Sequence, residues 1–316
     1  MINLADISTN QNRRDNLAKR VACKELYSCA KNLVYVELVL ALFVGVMYIT
    51  YAFSNPIFSF LNFNFNQWFL FPFIAPLLSI IFTVVDNYVI ARFIKLKIEQ
   101  AAYIQEDFDR NVFELPDNDM MIPSFDYVVH VMDDDKLDDF KDWYESCISD
   151  VPIEFGRIIA QKSNCMWELN LKNDFIIFLG TAIVIFFVIL IVVWFHAYDV
   201  NSIIIGLISV IYLLNLFFKY YTAHKSSKND ISKLNSKIDK YWDEIISTSS
   251  SDNLIDISKD IQTQLYYYRI NVALVPDLFY RLKKDTHQDI VEVYVEKMIN
   301  DYKVSFECEN LENDGK

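Results

Sequence analysis

Three polar residues stand inside long apolar stretches: Glu37 in the run 33–53, Asp86 in 68–93 and Asn215 in 203–218. An ionisable group at membrane depth tends to face a protein bundle or an aqueous path, so these are candidate pore or gating residues. Neither Glu37 nor Asp86 has a Lys or Arg three or four residues away on its own helix, so each needs a partner elsewhere. For Glu37, a place among the lipid headgroups is an equal reading. Catalytic chemistry has little support. His130, His196, His224 and His287 are scattered, and no HExxH, GxSxG or HRD pattern occurs. The five glycines, Gly45, Gly156, Gly180, Gly206 and Gly315, are too widely spaced for a GxGxxG or GxxxxGK[ST] loop. Cys23, Cys29, Cys147, Cys165 and Cys308 are an odd number without a CxxC pair, so neither disulfides nor a zinc site are expected. The chain is expected not to be an enzyme and to need no metal or cofactor.

The elements that must hold these residues follow from hydropathy. Of 316 residues, 53% are apolar and 22% charged, and the apolar ones gather in four runs. The run 33–53 has Glu37 as its only charge, and 68–93 is interrupted by Pro72, Pro76 and Asp86. The run 175–195 carries no charge, and 203–218 reaches spanning length only with Ser202 and 219–221. A bilayer core needs about 20 helical residues, so four transmembrane helices are predicted. The first 32 residues are polar and too long for the short leading region of a cleavable signal, which makes span one an uncleaved anchor.

Lys and Arg set the expected orientation. Six lie in 1–32, nine in 92–174 and fourteen in 219–316, which accounts for all 29 and leaves none in the loops 54–67 and 196–202. The positive-inside rule then places both termini and the central segment in the cytoplasm. The expected fold is an all-α membrane protein, four transmembrane helices in two hairpins with a helical cytoplasmic lobe. Its parts are a cytoplasmic N-terminal helix (1–32), hairpin 1–2 (33–95), a cytoplasmic helical segment (96–174), hairpin 3–4 (175–219) and a cytoplasmic helical tail (220–316). The net charge of −13 is concentrated in the central segment, whose acidity argues against long nucleic acid as a partner.

Apolar spacing makes the soluble parts helical. Ala18, Ala22, Leu26, Cys29 and Leu33 form a stripe predicted to run unbroken into span one, and the pattern from Ile94 to Phe108 continues until Pro116. Residues 117–135 read as an irregular connection. The acidic run 133–135 is predicted to open a helix through Leu137, Phe140, Tyr144 and Ile148, since carboxylates favour helix N-termini; a calcium loop would require a glycine and a terminal glutamate that are missing. Ile231, Leu234, Ile238, Tyr241 and Ile245 repeat at 3-4-3-4, a seam that fits packing within the chain better than self-association. Two further amphipathic helices carry Ile257, Ile261, Leu265 and Tyr268, then Val291, Tyr294, Val295, Met298 and Tyr302.

Four clusters remain. They are Gln11-Asn12 with 17–20 and 26–31; Ala-Ala-Tyr-Ile-Gln-Glu-Asp-Phe-Asp at 101–109; Gln-Lys-Ser-Asn at 161–164 followed by Trp167; and 261–281, which includes Tyr268-Arg269 and Val-Pro-Asp-Leu-Phe-Tyr-Arg. Taken singly, each fits side chains that satisfy one another near a membrane boundary. Taken in this order around two pairs of spans, they resemble the SMODS-associating four-transmembrane effector family, from Gln11 to about Met298. The chain departs from the family pattern at Lys162, where Arg is usual, at Asp117, where Trp is common, and at Leu278, where an aromatic is usual. Lys162 keeps the charge but loses the planar guanidinium fork.

The resemblance implies an inner-membrane effector of anti-phage defence. A cognate nucleotidyltransferase makes a cyclic di- or trinucleotide, the cytoplasmic lobe senses it, and the protein oligomerises to permeabilise or disrupt the lipid bilayer. Such a ligand presents phosphates and flat bases, which call for cations and aromatic rings. Lys162, Asn164 and Trp167, with Arg269, Tyr280 and Arg281, are the ligand-binding candidates under this reading. The alternative is a ligand-independent channel, transporter subunit or membrane scaffold, in which the same residues are salt-bridge and packing partners.

Overall fold

A computed structural model describes residues 6–52, 71–116, 137–195, 200–249 and 251–307, and among them it is helical without strands. A short helix, α1 (Ile7–Gln11), precedes α2 (Arg14–Ala52). Then come α3 (Phe71–Val85), a π-turn at Asp86–Ile90, and α4 (Ala91–Val112). Two long helices follow, α5 (Ile153–Phe195) and α6 (Val200–Thr248), then α7 (Leu254–Arg269) and α8 (Asp277–Tyr302). The predicted irregular connection 117–135 and the loops 54–67 and 196–199 lie outside the described residues, as does Cys308. The four described cysteines are free thiols.

The chain divides into two compact units. One comprises Met1–Ser28, Lys97–Asn173 and Ser226–Lys316; the other comprises Cys29–Leu96 and Asp174–Lys225. The helices α2, α4, α5 and α6 each contribute residues to both.

The second unit is built inside out. Val39, Val46, Leu77, Tyr88, Ile177 and Val184 are largely exposed on its surface, while Glu37, Ser79 and Asp86 are buried. That is the arrangement a lipid-facing bundle requires. Within it Ala41, Tyr212, Leu213 and Leu216 form a core joined by Leu40, Phe82 and Phe186, so α2, α3, α5 and α6 pack together. Among the described residues three helices, Arg14–Met47, Phe73–Val112 and Ile153–Val192, are long and apolar enough to cross a membrane. The expected fourth run lies on α6, which exposes Ile204, Leu207, Ile211 and Phe218 and buries Val210, Tyr212 and Leu216.

The spacing on α2 needs correction. Its buried stripe in this unit is Ala30, Val34, Glu37, Ala41 and Val44, and Cys29 is exposed. An apolar run offers no polar side by which to orient it; Glu37, the one charge in the run, is what must turn inward. The reading of Glu37 among the headgroups fails with it, since its side chain is buried inside the unit.

In the first unit the helices follow the sequence reading with two differences. The helix expected through 137–148 does not run its length: residues 137–138 are helical, 139–145 are turn and irregular chain, and a single 3₁₀ turn, Ser146–Asp150, follows. Gln11 explains this. Its amide donates to the Tyr144 carbonyl at 3.2 Å and accepts from the Tyr144 N–H at 2.7 Å, withdrawing both groups from any helix. Asn12 accepts from the N–H of Asp142, which is in a left-handed conformation. In the seam on α6, Ile231, Leu234, Ile238 and Ile245 are buried within the chain, with Trp242 rather than Tyr241 between the last two. Tyr241 instead donates to Asp260 on α7 at 3.2 Å.

Candidate functional site

The four sequence clusters meet in one buried network in the first unit. Ala101 and Ala102 on α4 are fully buried, and their small side chains let α4 approach α2 closely enough for Cys23 to donate to the Ala101 carbonyl at 3.5 Å. One turn further, Tyr27 donates to Gln105 at 3.3 Å. The same register turns Glu106 and Asp109 inward, to α7. Arg269 pairs with Asp109 at 2.6 Å, and the Gln262 amide donates to Glu106 at 2.8 Å and to Asp109 at 3.1 Å. Arg110 pairs with Glu106 at 2.6 Å.

From α5, Gln161 donates to the Ser258 carbonyl at 2.9 Å and to Gln262 at 3.1 Å, and accepts from the Ser258 hydroxyl at 3.2 Å. Asn164 donates to the Tyr144 hydroxyl at 3.0 Å, which itself donates to Asp109 at 2.8 Å. Burial, reinforced by Asp109, raises the Tyr144 phenol well above its ordinary range, so it stays a neutral donor. Burial opposes the charge of Arg269, but Asp109, helped by Glu106, holds the guanidinium above its ordinary range. Two carboxylates and two guanidinium groups therefore balance here, the condition under which charges can be buried.

The expected ligand residues fall in three places. Arg269 and Asn164 belong to this network. Lys162 is buried on α5, pairs with Asp239, donates to the Asn235 carbonyl at 3.1 Å and lies 5.1 Å from the centre of the Tyr294 ring. Trp167 meets Tyr280 at 5.8 Å and His287 at 5.9 Å between ring centres. Arg281 is exposed on α8, beside Tyr280.

In the second unit Glu37 and Asp86 share one cation. Lys219 Nζ lies 3.2 Å from Glu37 Oε1 and 2.8 Å from Asp86 Oδ1. Tyr220 donates to Glu37, and the Ser79 hydroxyl accepts from the Tyr212 N–H at 3.0 Å. Asp86 opens the π-turn, and its Oδ2 has no hydrogen-bond partner among the described residues. Asn215 stands one turn before Lys219 on α6, its Nδ2 buried and likewise unpartnered. Lys219 was readable only as a flank of the fourth run. The signal that could have found it is its place as the one cation at the end of that run, while two intramembrane carboxylates lacked partners on their own helices.

The family model of the SMODS-associating 4TM effector domain matches residues 5–298. The chain belongs to this family. Every residue of the buried network falls inside the matched region, as does the Lys219 cluster. A protein of Bacillus cereus (strain VD146) named "Probable CBASS effector molecule" is 29% identical over 200 residues. The alignment covers 59% of this chain and 65% of that relative, so the chain spans about two thirds of the curated relative's length. No solved structure matches the chain. Of the network, Asn164, Gln161, Gln262 and Arg269 stand in the quoted clusters, but Tyr144 does not. It lies in the segment expected to be helical, and nothing in local spacing marks a residue whose partners come from α1, α4 and α5.

Proposed function

We propose that this protein is an inner-membrane effector of bacterial anti-phage defence. Its cytoplasmic lobe senses a cyclic di- or trinucleotide made by a cognate nucleotidyltransferase. Oligomerisation then permeabilises or disrupts the bilayer. The lobe corresponds to the first unit and the membrane part to the second, with four spans, the fourth on α6, and both termini in the cytoplasm. The observation that carries the reading is continuity: α2, α4 and α5, which contribute to the buried polar network, and α6 run through both units, and the membrane part of this set holds Glu37, Asp86 and Lys219. A change in the network has a covalent route into the membrane bundle.

In this reading Arg281 meets a phosphate from its exposed position, and Trp167 with Tyr280 offers ring faces to a base. Lys162 and Arg269 already hold Asp239 and Asp109, so a phosphate reaches them only by exchange with a carboxylate. Such an exchange is the switch: it unbalances a buried charge network and favours a second arrangement of the helices. In the membrane, Asp86 and Asn215, with Glu37, line or gate the inner-leaflet opening.

A thermal-shift panel of cyclic di- and trinucleotides on detergent-purified protein tests the sensing step, with dye leakage from proteoliposomes as the second readout. One nucleotide should raise the melting temperature and trigger leakage. Leakage without nucleotide would replace this reading with a ligand-independent channel, and silence of the whole panel would remove the sensing step.

A further inference from the structure

Arg20 on α2 is, among the described residues, a buried cation with no carboxylate partner. Among the described residues, Lys19 pairs with Asp107, Arg110 with Glu106, Lys162 with Asp239 and Arg269 with Asp109. Lys172 and Arg157 each donate to a backbone carbonyl. Arg20 is 8% exposed, yet its contacts are two rings: its guanidinium carbon lies 3.4 Å from the centre of Trp143 and 5.3 Å from that of Phe108. Its Nε is buried without a hydrogen-bond partner among the described residues. Ring faces offset part of the cost of burying a cation but accept none of its five N–H donors in line. Neighbouring charges do not complete the balance, because Glu106 and Asp109 are matched by Arg110 and Arg269.

Aromatic rings and a second cation surround Arg20. Trp143 is 41% exposed, large for a tryptophan stacked on a buried guanidinium, and the segment that carries it is held by the Gln11 and Asn12 contacts. One turn along α2 from Arg20, Lys24 is exposed and sits 4.7 Å from the centre of the Phe140 ring. Residues four apart on a helix lie about 5–6 Å from one another at Cβ, so both cations stand on one face of α2. The charge of Arg20 also reaches Tyr280, where it counters the upward push of burial on the phenol.

We propose that Arg20 and Lys24 form a phosphate subsite and that the exposed ring of Trp143 is the platform for an adjacent base. The ligand class is a cyclic oligonucleotide, and the proposal rests on the sensing function given above. A planar guanidinium takes two phosphate oxygens at once, which a lysine does not. Occupation would provide the missing counter-charge, and it would tie α2 to the 137–145 segment across the ligand.

The test uses full-length protein in detergent, with cyclic di-AMP, cyclic di-GMP, cyclic GMP–AMP and cyclic tri-AMP as probes, and inorganic pyrophosphate as a phosphate without a base. Binding is read by calorimetry and by quenching of tryptophan fluorescence. Arg20→Met should weaken the best nucleotide more than tenfold, and Arg20→Lys should recover only part of the loss. Trp143→Phe should retain binding that Trp143→Ala loses; position 143 is half at the surface, so this pair reports even if Arg20→Met folds poorly. If wild type binds a nucleotide and Arg20→Met and Trp143→Ala bind it within threefold of wild type, the subsite is wrong and the sensing function stands. If no cyclic nucleotide binds wild type, the sensing function falls. In that event pyrophosphate that protects wild type but not Arg20→Met supports the anion subsite alone, and pyrophosphate that protects neither removes it.

Discussion

Lys219 and Asp86 meet at 2.8 Å inside the apolar unit, and the same ammonium lies 3.2 Å from Glu37. One cation serves two buried carboxylates, so the cluster holds one carboxylate more than its lysine can neutralise. Removing the lysine and removing a carboxylate therefore have unequal costs. Lys219→Met leaves both carboxylates without a cation and should destabilise the protein by about 3–5 kcal/mol. Glu37→Gln should cost far less, because it removes the surplus charge and keeps an acceptor for Tyr220. Melting curves in detergent compare the two, and equal losses would show that the ion pair contributes nothing beyond packing.

Asp86→Leu separates the membrane step from the sensing step. It should leave nucleotide binding intact and reduce leakage of a membrane-impermeant dye from proteoliposomes. Normal leakage by this variant on adding nucleotide would take Asp86 out of the mechanism.

Arg269→Ala should destabilise the protein without any nucleotide present, by about 3–5 kcal/mol, because it leaves Asp109 buried with only neutral donors. The loss should shrink when Asp109→Asn is combined with Arg269→Met, which removes both charges. A protein that melts at the wild-type temperature as Arg269→Ala would show that the pair is not structural. A ligand contact by Arg269 is judged separately, from binding by variants shown to be folded.

Gln11 pins the 137–145 segment through two hydrogen bonds to Tyr144. Gln11→Ala should cost about 1–3 kcal/mol, the penalty for leaving buried backbone groups unpaired. Amide exchange should speed up around Tyr144 and stay unchanged in α8. Uniform acceleration across the chain would contradict a local pin.

Topology is checked with single cysteines in a background cleared of the natural ones. Phe60→Cys should react with an impermeant maleimide on intact cells, and His130→Cys should not. The reverse pattern would invert the orientation drawn from the Lys and Arg distribution.

Much of the architecture is legible locally. A run of apolar residues without a cation must be a helix if it enters lipid, because no other single segment satisfies its own backbone there. Hence the helices around 33–53, 175–195 and 203–218 could be drawn from composition, and α7 and α8 from period. The need of Glu37 and Asp86 for outside partners was also plain, since an i±3 or i±4 cation can be checked on the string of letters.

What tertiary structure decided is which distant groups answer one another. Lys219 lies far along the chain from Glu37 and Asp86, and only the packing of α2, α3 and α6 brings the three together. Arg269 looks free beside its tyrosines in sequence but is committed to Asp109, while Arg20 looks ordinary and is left between two rings. The 139–145 stretch continues a helical period without a helix, because Gln11, more than a hundred residues earlier, takes both backbone groups of Tyr144. Period reports which side chains could share a face. Hydrogen bonds and ion pairs across the fold are set by long-range geometry, and their energies are large enough to override a local preference of a few tenths of a kcal/mol per residue.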